Sequence, residues 1–352
     1  MSVLRTLFAH NDWARDKVME LASPMSDEQL DRPFEMGPGS LRRTVQHMWA
    51  CEQHWLNRWR GMAGLGTEPN LAMDVLWDRF RKTAVERDAL FDSVGEPGFS
   101  NKISFTADSG ETHTFPLGDM VLHVSNHGVH HRAQALNMLR RLGVKVPGID
   151  FLHLRVERPT VEFDEAGRAK LGEMGMAPGA TLAAPDELDV ETIREYYRYS
   201  DWATLLLCDH AEKLTDERLD RAFEMGIGTL RKTLLHIYDA EAWWCANWTD
   251  AENKAYQQLP PTTSIAELKV LLETHIAARD GFFATLTAAK LQEVISAEVT
   301  PDLLLRFRLG ETMLQLPPHG THHRAQCRNM LRHLAVETQE IDYLDWYDTT
   351  QR

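Results

Sequence analysis

The stretch HGVHHRAQALNMLRRLG, residues 127–143, and its near copy HGTHHRAQCRNMLRHLA, residues 319–335, decide how this chain is read. Each places histidines three and four residues apart and follows them with apolar residues at helical spacing. Working outward, the likeness extends over most of the sequence. DWARDK at 12–17 answers DWATLL at 201–206, and LDRPFEMGPGSLRRTVQHMWACE at 30–52 answers LDRAFEMGIGTLRKTLLHIYDAE at 219–241. IDFL at 149–152 answers IDYL at 341–344. The chain is an internal duplication, and positions that recur can be separated from positions that drifted.

Each half carries four segments of apolar residues at helical period. They fall at about 2–22, 40–60, 70–93 and 118–142, then at about 190–213, 229–249, 264–288 and 311–335. Ser26 and Gln29 have the spacing of a capping box, and Gly39-Ser40 marks a helix start. KISFTADSGETHTFPL, at 102–117, alternates around a turn and predicts a small hairpin before the fourth helix. The expectation is an all-α chain of two tandem up-and-down four-helix bundles, each with a small β-hairpin or extended insertion before its fourth helix. Residues 1–152 form the first bundle, 189–352 the second, and 153–188 read as a Pro- and Gly-containing connector without helical periodicity.

With 352 residues, two domains are the prior, and 43% hydrophobic with 26% charged residues is ordinary for globular domains. A net charge of −14, with no basic stripe, disfavours nucleic-acid binding. No apolar run is long enough to span a bilayer, and the first residues lack the apolar core of a signal peptide. Four cysteines without CxxC spacing argue against a disulfide framework or a thiolate cage. A cytoplasmic setting is expected.

His127 and His131 lie four apart on one helix face, as do His319 and His323, close enough to hold one ion. His47, on the second helix of the first half, and its counterpart His236 supply a third imidazole. A lone histidine is more often a hydrogen-bonded bundle residue, but three that all recur favour a metal site. Three-residue spacing also shares a face, so His130 and His322 compete with His131 and His323. The four-residue pairs are preferred, with His130 and His322 beside the site or exposed. His123 answers Gln315 and His54 answers Trp243, so neither recurs. Gln134 and Gln326 share the metal face and would orient water or substrate, or simply pack. Arg132 and Arg324 point away and are expected in ion pairs, and Glu52 and Glu241 as structural partners. Three neutral imidazoles without a recurring fourth protein ligand are the pattern of an open site. Zinc, nickel, copper and iron all suit imidazole. The open position would hold water or a thiol sulfur and draw its pKa toward neutrality.

A histidine on the second helix followed by HxxxHRxQ on the fourth resembles the DinB superfamily of four-helix-bundle metalloproteins, and does so in both halves. The resemblance implies a divalent metal, usually zinc or nickel with iron as a third candidate, on His47, His127 and His131 and again on His236, His319 and His323. It also implies a small-molecule substrate, with a hydrolase or a low-molecular-weight-thiol transferase as the enzyme and a non-catalytic metal-binding stress protein as the alternative. Relatives pair as homodimers, so the tandem copy implies an intrachain pseudo-dimer. One departure stands out: Pro317-Pro318 precede His319 where the first half has Ser125-Asn126. Proline removes a helical hydrogen bond, so a kink or restart near 317 is expected, with consequences for His319.

Overall fold

The computed structural model describes residues 3–66, 68–107, 110–183, 188–249, 254–300 and 303–350. The first repeat runs α1 (Val3–Ala22), a single-turn α2 (Asp27–Leu30), α3 (Leu41–Trp59), α4 (Met73–Gly98), β1 (Lys102–Thr106), β2 (Thr112–Pro116) and α5 (Leu117–Arg141). Two short helices follow, α6 (Phe151–Glu157) and α7 (Glu165–Glu173). The second repeat runs α8 (Val190–Ala211), α9 (Asp216–Leu219), α10 (Leu230–Trp248), α11 (Ile265–Phe283), α12 (Ala288–Leu291), β3 (Val294–Thr300), β4 (Leu303–Arg308), α13 (Leu309–Met313) and α14 (Leu316–His333), and α15 (Tyr343–Thr350) closes the chain. The architecture is all-α, two tandem four-helix bundles each carrying one antiparallel hairpin, β1–β2 and β3–β4. The expected turn residues Asp108 and Ser109 lie outside the described residues.

Local chemistry sets the helix starts. Ser26 and Gln29 form the complete capping box, and Ser40 and Thr229 accept from the third backbone N–H of α3 and α10. Along α3, Leu41, Val45, Met48, Trp49 and Leu56 are buried, a stripe of helical period that packs against α5 and α4. α10 packs likewise against α14 and α11. Two buried charge clusters tie helices together. Arg87 donates to Asp12 at 2.6 Å, and Arg15 holds the other carboxylate oxygen at 2.6 Å. In the second repeat Arg279, wholly buried, bridges Asp201 and Glu241.

Two sequence expectations are corrected. Residues 153–188 are not an irregular connector, because α7 and most of α6 lie there. α7 is capped by the Asp164 carboxylate accepting from Gly167 N–H. The helix escaped notice because its apolar face is short, with only Gly167 and Leu171 buried. Among the described residues Arg324 does not make the expected ion pair, while Arg132 lies in the field of the Glu52 carboxyl. Arg132 donates to Asn11, and Arg324 to the Ser200 and Thr204 hydroxyls. The repeats and the compact units are also not coextensive. One unit is Leu7–Pro147 with Glu340–Arg352, and the other is Met1–Thr6 with Gly148–Gln339. The segment that follows the fourth helix of each repeat therefore belongs to the unit built on the other.

The proline pair does what its chemistry requires. α5 is unbroken, whereas its counterpart is split into α13 and α14, with Pro317 and Pro318 in the first turn of the restart. Gln315 keeps helical angles (φ −69°, ψ −45°), so the axis continues while the hydrogen bonds lapse. Pro317 cannot bond the buried Met313 carbonyl; the Tyr197 hydroxyl donates to it instead, at 2.9 Å. The first-repeat counterpart of Tyr197 is Phe8, in the half whose helix needs no such donor. Tyr197→Phe is expected to lower stability by about 1–3 kcal/mol, the cost of an orphaned buried carbonyl, in denaturant unfolding of the full chain. An unchanged midpoint would refute the compensation.

α15 packs on α5, where the Tyr343 hydroxyl donates to the buried Asp119 carboxylate at 2.9 Å. Burial pushes the Asp119 carboxyl up to about 6, against the lowering effect of that hydrogen bond. The folded state thus holds this proton more tightly than the unfolded chain. The group's contribution to stability is largest below its unfolded pKa and is lost as pH rises from about 4 through 6. Asp119→Asn should therefore gain about 1–3 kcal/mol relative to the native chain at pH 7, and little at pH 4. Parallel thermal melts at the two pH values check the sign.

Candidate metal centre

α3 and α5 pack together and bring His47, His127 and His131 to one point. His127 Nε2 lies 3.3 Å from His47 Nε2 and 3.1 Å from His131 Nε2. Four ligands arranged tetrahedrally at zinc–imidazole bond lengths are separated by about 3.4 Å, so the spacing is that of neighbouring corners around one ion. The second repeat gives the same figure from α10 and α14. Ring centroids of His236, His319 and His323 are 4.6–5.2 Å apart, against 4.4–5.1 Å in the first. The helix restart at 316 has left His319 in register. His131 and His323 are buried while His47 is exposed, so the first cluster has a wall and an opening.

Burial, followed by the neighbouring imidazoles, holds His127, His131 and His323 well below the ordinary histidine pKa. His319 is pushed down to about 4, mainly by burial. All are neutral near pH 7 and present lone pairs, which is the donor state a divalent cation requires.

A second layer fixes which nitrogen faces inward. Gln134 donates from Nε2 to His130 at 3.0 Å, which turns its Oε1 toward His131 Nδ1 at 2.8 Å. His131 then carries its proton on Nδ1 and a bare lone pair on Nε2. Gln326 repeats the relay between His322 and His323, at 2.9 and 2.8 Å. The glutamines thus orient an imidazole rather than water, and His130 and His322 anchor the glutamines. The loop before α3 makes room. A Cβ on Gly37, whose φ is +49°, would stand 2.2 Å from Gln134 Oε1. A Cβ on Gly226, at φ +58°, would meet Thr233 Oγ1 at 2.7 Å first and Gln326 Oε1 at 3.2 Å. The recurring EMGxG held this signal, legible only once Gln134 was placed.

Sequence reasoning also missed two carboxylates. Asp342, just before α15, raises the proton affinity of His47 and His123 against their burial, and Asp150, just before α6, does so for His236 and His319. They recur in the Ile-Asp pair common to IDFL and IDYL. His54 and His123 stay outside the triad. His54 accepts from Arg58 at 2.6 Å, and the His123 ring lies 6.1 Å from that of His127. His236 has an extra partner, the Tyr256 hydroxyl, 3.2 Å from its Nδ1.

A profile of the DinB family matches residues 1–160 and again 186–352. The chain belongs to the DinB family. No curated protein and no solved structure matches it. Membership implies a DinB-like fold that binds divalent metal, and both triads provide the donor set for one. No helix among the described residues is long and apolar enough to cross a membrane, and Cys51, Cys208, Cys245 and Cys327 are all free.

The relay has a readout that needs no metal. In the metal-free chain, long-range nitrogen–proton spectra should show His131 and His323 as Nδ1–H tautomers. Gly37→Ala should disturb His131 alone, because the new methyl displaces Gln134 but not Gln326. Equal disturbance of both rings, or of neither, would contradict the assignment.

Proposed function

We propose that each triad of this DinB chain binds one divalent metal ion, and that the protein is a metal-dependent enzyme acting on a small molecule. Zinc or nickel suits three imidazoles best, with iron as a third candidate. The observation that carries the reading is the set of neutral Nε2 atoms converging at tetrahedral spacing beside an exposed edge. A sealed structural site would need a fourth protein ligand, and each cluster among the described residues consists of three histidines alone.

A bound ion would supply Lewis acidity at its open position, lowering the pKa of a water or a thiol held there. The chain's own residues supply the rest. Gln134 and Gln326 keep His131 and His323 in the ligating tautomer, and burial keeps both rings unprotonated. Asp342 and Asp150 place negative charge beside the exposed edge, where they can hold a proton donor of the substrate. Hydrolysis and transfer of a low-molecular-weight thiol both fit this arrangement. Four free thiols, two of them buried, agree with a reducing, cytoplasmic setting.

Elemental analysis of the purified chain tests the reading. We expect about two divalent ions per chain, one per triad, falling to about one in a His127→Ala, His131→Ala variant. Absence of metal under every loading condition defeats it. The loaded chain should then hydrolyse an activated ester or amide, or transfer a thiol to a chlorinated electrophile, and His131→Ala should abolish the first site's share. Two bound metals with neither activity would make the protein a non-catalytic metal binder.

A further inference from the structure

A ligating imidazole is aimed by whatever its other ring nitrogen bonds. Gln134 and Gln326 do this for His131 and His323. For the histidines of α3 and α10 the two repeats part. His236 Nδ1 lies 3.2 Å from the Tyr256 hydroxyl. Among the described residues the only hydrogen-bond contact of His47 is inward, with His127 Nε2 at 3.3 Å. Yet the two rings are placed alike. The His236 ring centroid stands 5.2 Å from that of His319 and 4.7 Å from that of His323, at 59° and 79°. His47 stands 5.1 and 4.5 Å from its partners, at 52° and 73°. His47 turns Nε2 into the cluster, so His236 does the same and its Nδ1 faces out. Tyr256 therefore bonds the nitrogen that ligation leaves free.

Tyr256 has supports of its own. Its ring stands edge-on to Trp243, centroids 6.2 Å apart, and the Gln258 side chain hydrogen-bonds the same hydroxyl. Trp243 offers a fixed surface, its ring 4.5 Å from that of Trp244 in the wall of a cavity of about 220 Å³. None of this is duplicated. The first repeat has His54 at the position of Trp243, and residues 60–72, the loop that matches 249–264, include no tyrosine. His47 is exposed where His236 is half-buried.

We propose that Tyr256 is a positioning residue of the second triad: its oxygen accepts from His236 Nδ1–H, the inner Nε2 keeps a bare lone pair, and the second triad holds its metal more tightly than the first. The proposal deepens the functional reading and rests on its claim that the triads bind metal. An oxygen that already accepts from the Gln258 amide can accept once more, and the His236 proton is thereby drawn to the outer nitrogen. Two ligands of the second triad are then aimed by partners outside the cluster, His236 by Tyr256 and His323 by Gln326. In the first triad, among the described residues, His131 alone is aimed in this way. Loss of such a partner costs about 10–100-fold in metal affinity, which sets the size of the difference expected between the sites.

Competition for Zn(II) between the full chain and a chromogenic chelator tests this, with one triad removed at a time. His127→Ala, His131→Ala leaves the second site, and His319→Ala, His323→Ala leaves the first. The second should hold zinc about tenfold more tightly. Tyr256→Phe keeps the ring against Trp243 and removes the hydroxyl. It should abolish the advantage of the second site and leave the first unchanged. A spectroscopic signature separates aim from folding. In long-range nitrogen–proton spectra of the metal-stripped native chain, His236 should be the Nδ1–H tautomer. In Tyr256→Phe it should become a mixture, while His323 keeps its tautomer. An Nε2–H tautomer at His236, the same tautomer in the folded variant, or equal zinc affinity of the two sites would overturn the proposal. The native tautomer and the order of affinities need no Tyr256 variant, so they decide the matter even if that variant misfolds. Absence of zinc from both triads defeats the functional reading together with the claim on affinity. Zinc in both triads with His236 indifferent to Tyr256→Phe defeats the role of Tyr256 alone.

Discussion

Two lone pairs cannot hydrogen-bond to each other, and that constraint organises each half of this molecule. In the first repeat His127 Nε2 stands 3.3 Å from His47 Nε2 and 3.1 Å from His131 Nε2. Burial denies them protons, because a charged imidazole would lose its hydration and face two others. The relay through Gln134 ties the His131 proton to the outer nitrogen, so the inner one has only a lone pair to offer. An arrangement of this kind repels itself unless something positive lies at its centre. The surrounding fold spends interactions elsewhere to hold such a point together.

The restraint comes from features on the far side of the same helices. Glu52, five residues after His47 and about 140° around the helix, lies in the buried charge cluster with Asp12, Arg15 and Arg87. Glu241 stands in the same relation to His236 and pairs with Arg279. A helix with a buried ion pair on one face resists rotation, since turning it would strand a charge at a cost of about 3–5 kcal/mol. The rotation of α10, and with it the aim of His236, is thus held by charges outside the triad. In the second repeat the same aim survives a broken helix, because Tyr197 replaces the hydrogen bond the prolines remove.

What could be read in the sequence and what could not divide along physical lines. Helices announce themselves by period, so α1, α3, α5, α8, α10 and the triads were visible, as was the consequence of Pro317-Pro318. The four-residue rule pointed to His131, which lies in the cluster, whereas His130 stands beside it and bonds Gln134. Contacts between elements have no period. That Gly37 is a glycine because an amide oxygen presses on it follows only from three-dimensional placement. The role of Asp150 and Asp342 was hidden for a stronger reason. Each sits in a short segment that lies in the compact unit of the other repeat, so no reading confined to one repeat could pair it with its histidines.

That exchange also bears on how the two sites came to differ. The triad, the glutamine relay and the nearby aspartate recur in both repeats, with one histidine of each triad tied to its glutamine by a hydrogen bond. The wall beyond them is not so bound. Trp243, Leu305 and Gln315 stand where His54, His113 and His123 stand in the first repeat, and none of these is in the triad. In the first repeat the wall is engaged in other contacts: the His113 ring stacks on Phe115 and its Nδ1 faces Asp348 of the closing segment at 3.6 Å. In the second it encloses a cavity. A single chain thus carries two similar histidine triads with dissimilar surroundings.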